Sequence, residues 1–158
     1  MPQINSNDQN QPAPTKEEFI YDISGITKSL NLIKAATNWQ EKYRQLMLMG
    51  KHLPRLADNL RLTQAEVKGC ESQAWLYHCN IDGKHYYLAD SDARIVKGLI
   101  AILIASLHGK NQKEIEDFNA QDYFAILGFD GQLSPSRTNG LLALESKMKM
   151  TTKYATKE

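Results

Sequence analysis

The residues of this chain best suited to covalent chemistry lie in "KGCESQAWL", Lys68 to Leu76, where a cysteine stands between a glycine and small polar residues. A thiol kept for packing normally has apolar neighbours, whereas Cys70 has Gly69, Glu71, Ser72 and Gln73. The chemistry such a thiol offers is nucleophilic, and its rate follows thiolate fraction and access. Gly69 permits a tight turn, Lys68 favours the thiolate and Glu71 opposes it. From the residues alone a reactive Cys70 is favoured, with a structural one left open.

The remaining chemical candidates are weaker. Cys79 alternates onto a strand face with Trp75, Tyr77 and Ile81, where a thiol serves as a small buried hydrophobe. A disulfide to Cys70 is disfavoured, because nine largely extended residues reach about 30 Å while bridged Cα atoms lie within about 7 Å. His78 and His85 fall diagonally on one sheet face, but Cys79 points the other way and no third ligand is evident, so no metal is expected and solvated histidines are the better reading. No glycine-rich phosphate loop, no lysine in a cofactor-binding context and no Ser-His-Asp set emerges, so no cofactor is assigned.

The elements that must position Cys70 are legible from spacing. "AWLYHCNIDGKHYYLAD" reads as a hairpin turning at Asp82-Gly83, which places Ile81 opposite Lys84, Cys79 opposite Tyr86 and Tyr77 opposite Leu88. Trp75, Tyr77, Cys79, Ile81, Tyr86 and Leu88 then share one face, and His78, His85 and Tyr87 the other. Ahead of it, Leu30, Ile33 and Lys34 give a helix over Thr27 to Ala36, and Asn38 caps a second whose core stripe is Trp39, Tyr43, Leu46 and Met47, stopped by Gly50 and Pro54.

After the hairpin, Asp90 or Ser91 is expected to cap the apolar run Ile95 to Leu107, which Gly109 closes. Within it, Lys97 marks a solvent-facing point and Gly98 a close helix-sheet contact. Two short amphipathic pieces follow, at Lys113 to Phe118 and Ala120 to Leu127, and a last helix opens with Ser134 as cap and Pro135 in its first turn. Helices on both sides of a small antiparallel hairpin sheet make a single α+β domain over 15–150. Residues 1–14, rich in Asn, Gln and Pro, read as a disordered tail, and 151–158 as a flexible C-terminal tail.

Composition limits the partners. With 158 residues, 42% of them apolar, the chain can bury one core. Its 19 basic and 18 acidic residues leave a net charge of +1, without the basic surface that nucleic acid demands. The apolar run Ile95 to Leu107 falls short of the roughly 20 residues of a membrane span and contains Lys97. Two cysteines and no leader-like N-terminus place the expectation in the reducing cytosol, a cytoplasmic protein with protein or small-molecule partners.

"GCESQAWL", "DSDARIVKGLIA" and "LSPSRTNGL", in that order and at those separations, resemble the signatures of the SufE/CsdE sulfur-acceptor family. The resemblance runs from about Asn38 to about Leu144, with Ala74 where the family usually has valine and Ala89 where it often has glycine. It implies a SufE/IscU-like fold, and a Cys70 that accepts a persulfide sulfur from a PLP-dependent cysteine desulfurase, stimulates it, and passes the sulfur toward iron-sulfur cluster assembly or another acceptor. PLP then belongs to the partner, and the chain is an accessory protein, not an enzyme.

Arg137 matches the family motif and has two open readings, as a cation beside the loop or as an arginine held near the helix start by a local acid. Ser91 and Asp92 also match, and either could steady the loop, although capping alone would explain both. Gly69, Glu71, Ser72 and Gln73 complete the expected supporting set. Two alternatives stand beside the carrier: a thiol redox sensor and a non-catalytic adaptor that activates a partner.

Overall fold

Asp82 and Gly83 both adopt positive φ, 53° and 82°, the backbone a two-residue hairpin turn requires. They join strand β1 (Ala74–Ile81) to β2 (Lys84–Ser91) in the expected register, with Cys79 opposite Tyr86 and Trp75 opposite Asp90. The structure, a computed structural model, describes residues 11–155. The first ten residues of the expected N-terminal tail, and residues 156–158, lie outside the described residues.

Around this antiparallel pair stand α1 (Ser24–Ala35), α2 (Trp39–Gly50), α3 (Arg94–Leu107), α4 (Gln112–Asp117), α5 (Ala120–Ile126) and α6 (Pro135–Ala155). The fold is α+β, as the alternation of patterns implied. Short 3-10 turns at Lys16–Phe19, Asp58–Leu60 and Thr63–Ala65 cover one sheet face, burying Phe19, Leu56 and Leu60 against Trp75, Cys79 and Leu88. Among the described residues no helix is long and apolar enough to cross a membrane.

The opposite face carries a correction. His78, His85 and Tyr87 share it, but it is not solvated: His85 and Tyr87 are fully buried. Helix α6 lies over it, with Tyr87 Oη hydrogen-bonded to Thr152 Oγ1 and to the Met148 carbonyl. The chain after α3 adds a β-bridge, His85 N–H donating to Lys110 O at 2.8 Å and Gly109 N–H to His85 O at 2.7 Å. The same coverage moves the C-terminal boundary, since α6 continues to Ala155 with Thr152 buried, and position 150 ends nothing. At the other end Pro14, the last residue of the expected tail, is buried.

Helix α3, the expected buried helix, crosses α2 through two glycines. A Cβ on Gly98 would stand 2.5 Å from Leu46 O, and one on Gly50 2.8 Å from Lys97 Cβ. Gly98 therefore serves a helix-helix contact, not the helix-sheet contact its position suggested. Because the clash is with backbone, Gly98→Ala forces the helices apart. The expected cost is about 3 kcal/mol, a fall in thermal midpoint of roughly 6 to 12 °C, readable by calorimetry or circular dichroism.

Some ends also differ. Helix α1 starts three residues before Thr27. In α2, Asn38 Oδ1 accepts from Glu41 N–H at 2.8 Å as expected, but the buried stripe is Leu46 and Met49, and Tyr43 is exposed. Neither Asp90 nor Ser91 occupies the N-cap of α3, which is Ala93 without a side-chain cap bond, because β2 runs on through Ser91. The buried Asp90 carboxylate instead accepts from Leu56 N–H at 3.0 Å and Arg61 Nη2 at 2.9 Å. Lys97, one-third exposed, is also drawn to it, at 3.6 Å, so it is no solvent-facing marker.

Candidate functional site

The Cys70 loop leaves the sheet from a short stem. Glu66 bridges Trp75, and Val67 N–H donates to Ala74 O at 2.9 Å. Gly69 then turns with φ 92°, a left-handed conformation that glycine takes without steric cost. At the loop's exit Gln73 O accepts from Ser91 Oγ at 2.6 Å and from Asp92 N–H at 3.2 Å. Ser91 thus ties the loop to the end of β2 while also accepting from Ala93 N–H at 3.2 Å, so capping alone does not explain it.

Between these anchors the loop lies on the first turns of α6, a helix started by Ser134, whose Oγ accepts from Arg137 N–H at 3.2 Å. Glu71 accepts a hydrogen bond from Ser136 Oγ, and Ser72 Oγ accepts one from Arg137 Nη1 at 3.1 Å. The Cys70 sulfur sits 3.2 Å from where a Cβ on Gly140 would be, and Ala143 lies under Gly69. The thiol is therefore half-buried against the main core, in a notch open because position 140 has no side chain. Beside it a depression bounded by Gly69, Glu71, Ser136 and Asn139 opens to solvent.

Burial pushes the Cys70 thiol above its ordinary range. A hydrogen bond from Ser72 N–H to the sulfur and the Arg137 cation pull it back, while Asp92 and Glu71 add to the rise. Lys68 has no part in this balance: its side chain is exposed and turned to Glu66, 3.6 Å away. The cation acting on the thiol is Arg137, so of its two readings the structure selects proximity to the loop.

All the supporting residues read from the sequence converge here: Gly69, Glu71, Ser72 and Gln73 in the loop, Ser91 and Asp92 at its exit, Arg137 across from it. Ser136 and Gly140 were not among them. Once Ser134 is taken as cap, 136, 140 and 143 fall on one helical face, and that spacing was the available signal.

Cys79 is fully buried and unpaired on the hairpin's other face, within the Trp75 and Leu88 cluster. Cys79→Ser puts a hydroxyl into that cluster at a cost of about 1 to 3 kcal/mol, seen as a lower denaturant midpoint. Sulfur chemistry at Cys70 is expected to be unchanged in the same variant. Among the described residues no group of three or more His, Cys, Asp or Glu is gathered as for a metal ion.

Residues 27–152 match the family model described as "SufE: Fe-S metabolism associated domain". The chain is 40% identical over 124 residues to the "Sulfur acceptor protein CsdE" of Escherichia coli (strain K12), covering 78% of this chain and 84% of that protein. It is 34% identical over 118 residues to an "Uncharacterized SufE-like protein" of Haemophilus influenzae, covering 74% and 94%. In fold it is similar to the solution structure of a hypothetical protein from Thermus thermophilus, with a TM-score of 0.68 at 17% identity over 85% of this chain and 97% of that one. With a family model spanning most of its length and relatives of this identity, the chain belongs to the SufE family.

Proposed function

We propose that the protein is a sulfur carrier in iron-sulfur metabolism, taking a sulfane sulfur onto Cys70 from the persulfide of a PLP-dependent cysteine desulfurase. The observation that carries this reading is the setting of Cys70: a free thiol on a loop turned at Gly69, held to α6 by side-chain bonds and to the end of β2 through Gln73 O, with Arg137 at hand. The similarity to a protein named a sulfur acceptor supports it.

The step balances without any oxidant. The Cys70 thiolate attacks the outer sulfur of the donor's Cys–S–SH, the new S–S bond forms on Cys70, and the old one breaks with its electrons leaving on the donor thiolate. The proton of the –SH group travels with the transferred sulfur. By draining the donor's persulfide, the carrier stimulates the desulfurase. It then hands the sulfur to a scaffold or other acceptor by the same exchange. PLP works in the donor, and a cytosolic setting keeps the receiving thiol reduced.

A peroxide sensor fits less well, because the second thiol, Cys79, is fully buried on the far face and cannot resolve a sulfenic acid on Cys70. The test is to incubate the protein with a desulfurase, PLP and cysteine and read the intact mass and the Cys70 peptide. One added sulfur on Cys70 is the expected result. Oxygen adducts without sulfur would favour the sensor, and stimulation of the desulfurase with no adduct would favour the adaptor.

A further inference from the structure

The loop is held to α6 by two consecutive pairs that bracket one side of the thiol: Glu71 with Ser136, and Ser72 with Arg137. The second pair is partly shielded, and the Arg137 guanidinium also acts on the sulfur itself. The first pair joins Glu71, the residue after Cys70, to the rim of the open depression. Ser136 is not needed to start the helix, since Ser134 provides the cap. Its hydroxyl is spent on the loop.

We infer that Ser136 is a positioning residue for Cys70, acting through Glu71: their hydrogen bond is the catch that keeps the thiol in the Gly140 notch. When the catch is closed the sulfur faces α6, where a Cβ-sized object 3.2 Å away would already crowd it, and a bulky partner cannot reach it from that side. With the catch open, Gly69 supplies the backbone freedom for the loop to leave, while Ser91 and Asp92 keep its far end fixed at Gln73. The mobile portion is then confined to 69–72. The functional meaning of the catch rests on the sulfur-carrier reading, in which the donor must engage an exposed thiol, but the catch is a property of the free protein and is testable there.

The measurement is the rate at which Cys70 reacts with a bulky maleimide, divided by its rate with iodoacetamide, in the full chain without any partner. The ratio cancels changes in thiolate fraction and reports access. Ser136→Ala is expected to raise it about tenfold, the loss of one hydrogen bond to a charged group at the weak, solvent-exposed end of the range. Ser136→Thr keeps a hydroxyl and is expected to restore the wild-type ratio. Glu71→Ala should match Ser136→Ala, and the double variant should add nothing further.

An unchanged ratio in Ser136→Ala overturns the inference. So does a Ser136→Thr protein that behaves like the alanine variant, or a double variant in which the two effects multiply. Because no sulfur donor enters the assay, its failure is separate from failure of the carrier reading: a chain that passes here and takes no sulfur from a desulfurase keeps the catch and loses the proposed function.

Discussion

Cys70→Ser is expected to abolish sulfur loading while moving the thermal midpoint by no more than about 2 °C. The two effects separate because the thiol's structural and chemical contributions are different in kind. As a structural group Cys70 is half-buried at the rim of the core, and the anchors that hold its loop are the bonds of Glu71, Ser72 and Gln73, none of which uses the sulfur as a donor. Serine is smaller, fits the Gly140 notch, and can hydrogen-bond to the solvent of the adjoining depression. As a chemical group it has no substitute. A serine oxygen forms no persulfide under these conditions, and Cys79 is sealed in the far cluster. A desulfurase assay followed by intact-mass analysis decides the matter, and a loaded Cys70→Ser protein would transfer the assignment to another residue.

The same variant weighs stimulation against transfer. If the carrier speeds its donor only by removing the persulfide, Cys70→Ser should bind the desulfurase and leave turnover at the level seen without the carrier. Full stimulation by a protein that accepts no sulfur would instead mean that the folded surface activates the partner. The outcome is read from alanine release, alongside the mass spectrum.

What the sequence revealed of this site, and what it concealed, follows from the range of the forces involved. The hairpin register was legible because Asp82-Gly83 sets it locally, and the buried face followed from alternation. Cys70 stood out because its neighbours are wrong for a packed thiol. Its electrostatic setting did not, because the cation that acts on the sulfur is 67 positions away in the sequence at Arg137, whereas the adjacent Lys68 turns to Glu66. Proximity in sequence pointed to Lys68, the family motif offered Arg137 as one of two readings, and helix packing brings Arg137 to the loop. Helical spacing could place Gly140 on the face of Ser136 but not give its role, since the meaning of a missing side chain depends on what lies opposite it, here the Cys70 sulfur. The histidines were misread because a two-stranded sheet normally leaves one face wet, whereas here the last turns of α6 and the segment after α3 close over it.

That closed face makes the protein acid-sensitive well above the carboxylate range. His78 Nε2 and His85 Nδ1 share a hydrogen bond of 2.7 Å, so one proton already fills the space between the rings. His85 Nε2 is buried with no hydrogen-bond partner among the described residues, and a second proton on that ring would meet nothing to receive it. His108 is similarly committed, with Nδ1 accepting from Tyr87 N–H at 3.0 Å and the ring set between Tyr21 and Tyr86. Protonating Nδ1 would turn two donors on each other. Burial accordingly holds His78 and His108 down at about 4, and lowers His85 as well, from an ordinary 6.5. With folded values below the unfolded one, the unfolded chain binds more protons as the pH drops. The stabilisation is therefore complete above pH 6.5 and is lost progressively as pH falls from there toward 4. By pH 5 the loss is about 2 kcal/mol for each of His78 and His108, a drop in thermal midpoint of roughly 8 to 16 °C for a chain of this size. Melting curves at pH 7.5, 6.5, 5.5 and 5.0 should show the fall beginning near 6.5, before ordinary carboxylates titrate. His108→Gln retains an acceptor for Tyr87 N–H but no titrating ring, so its curve should be flatter across that window by about half. A wild-type midpoint that stays level down to pH 5 would mean that these rings take up protons freely in the folded protein, and that the sheet face is open to water after all.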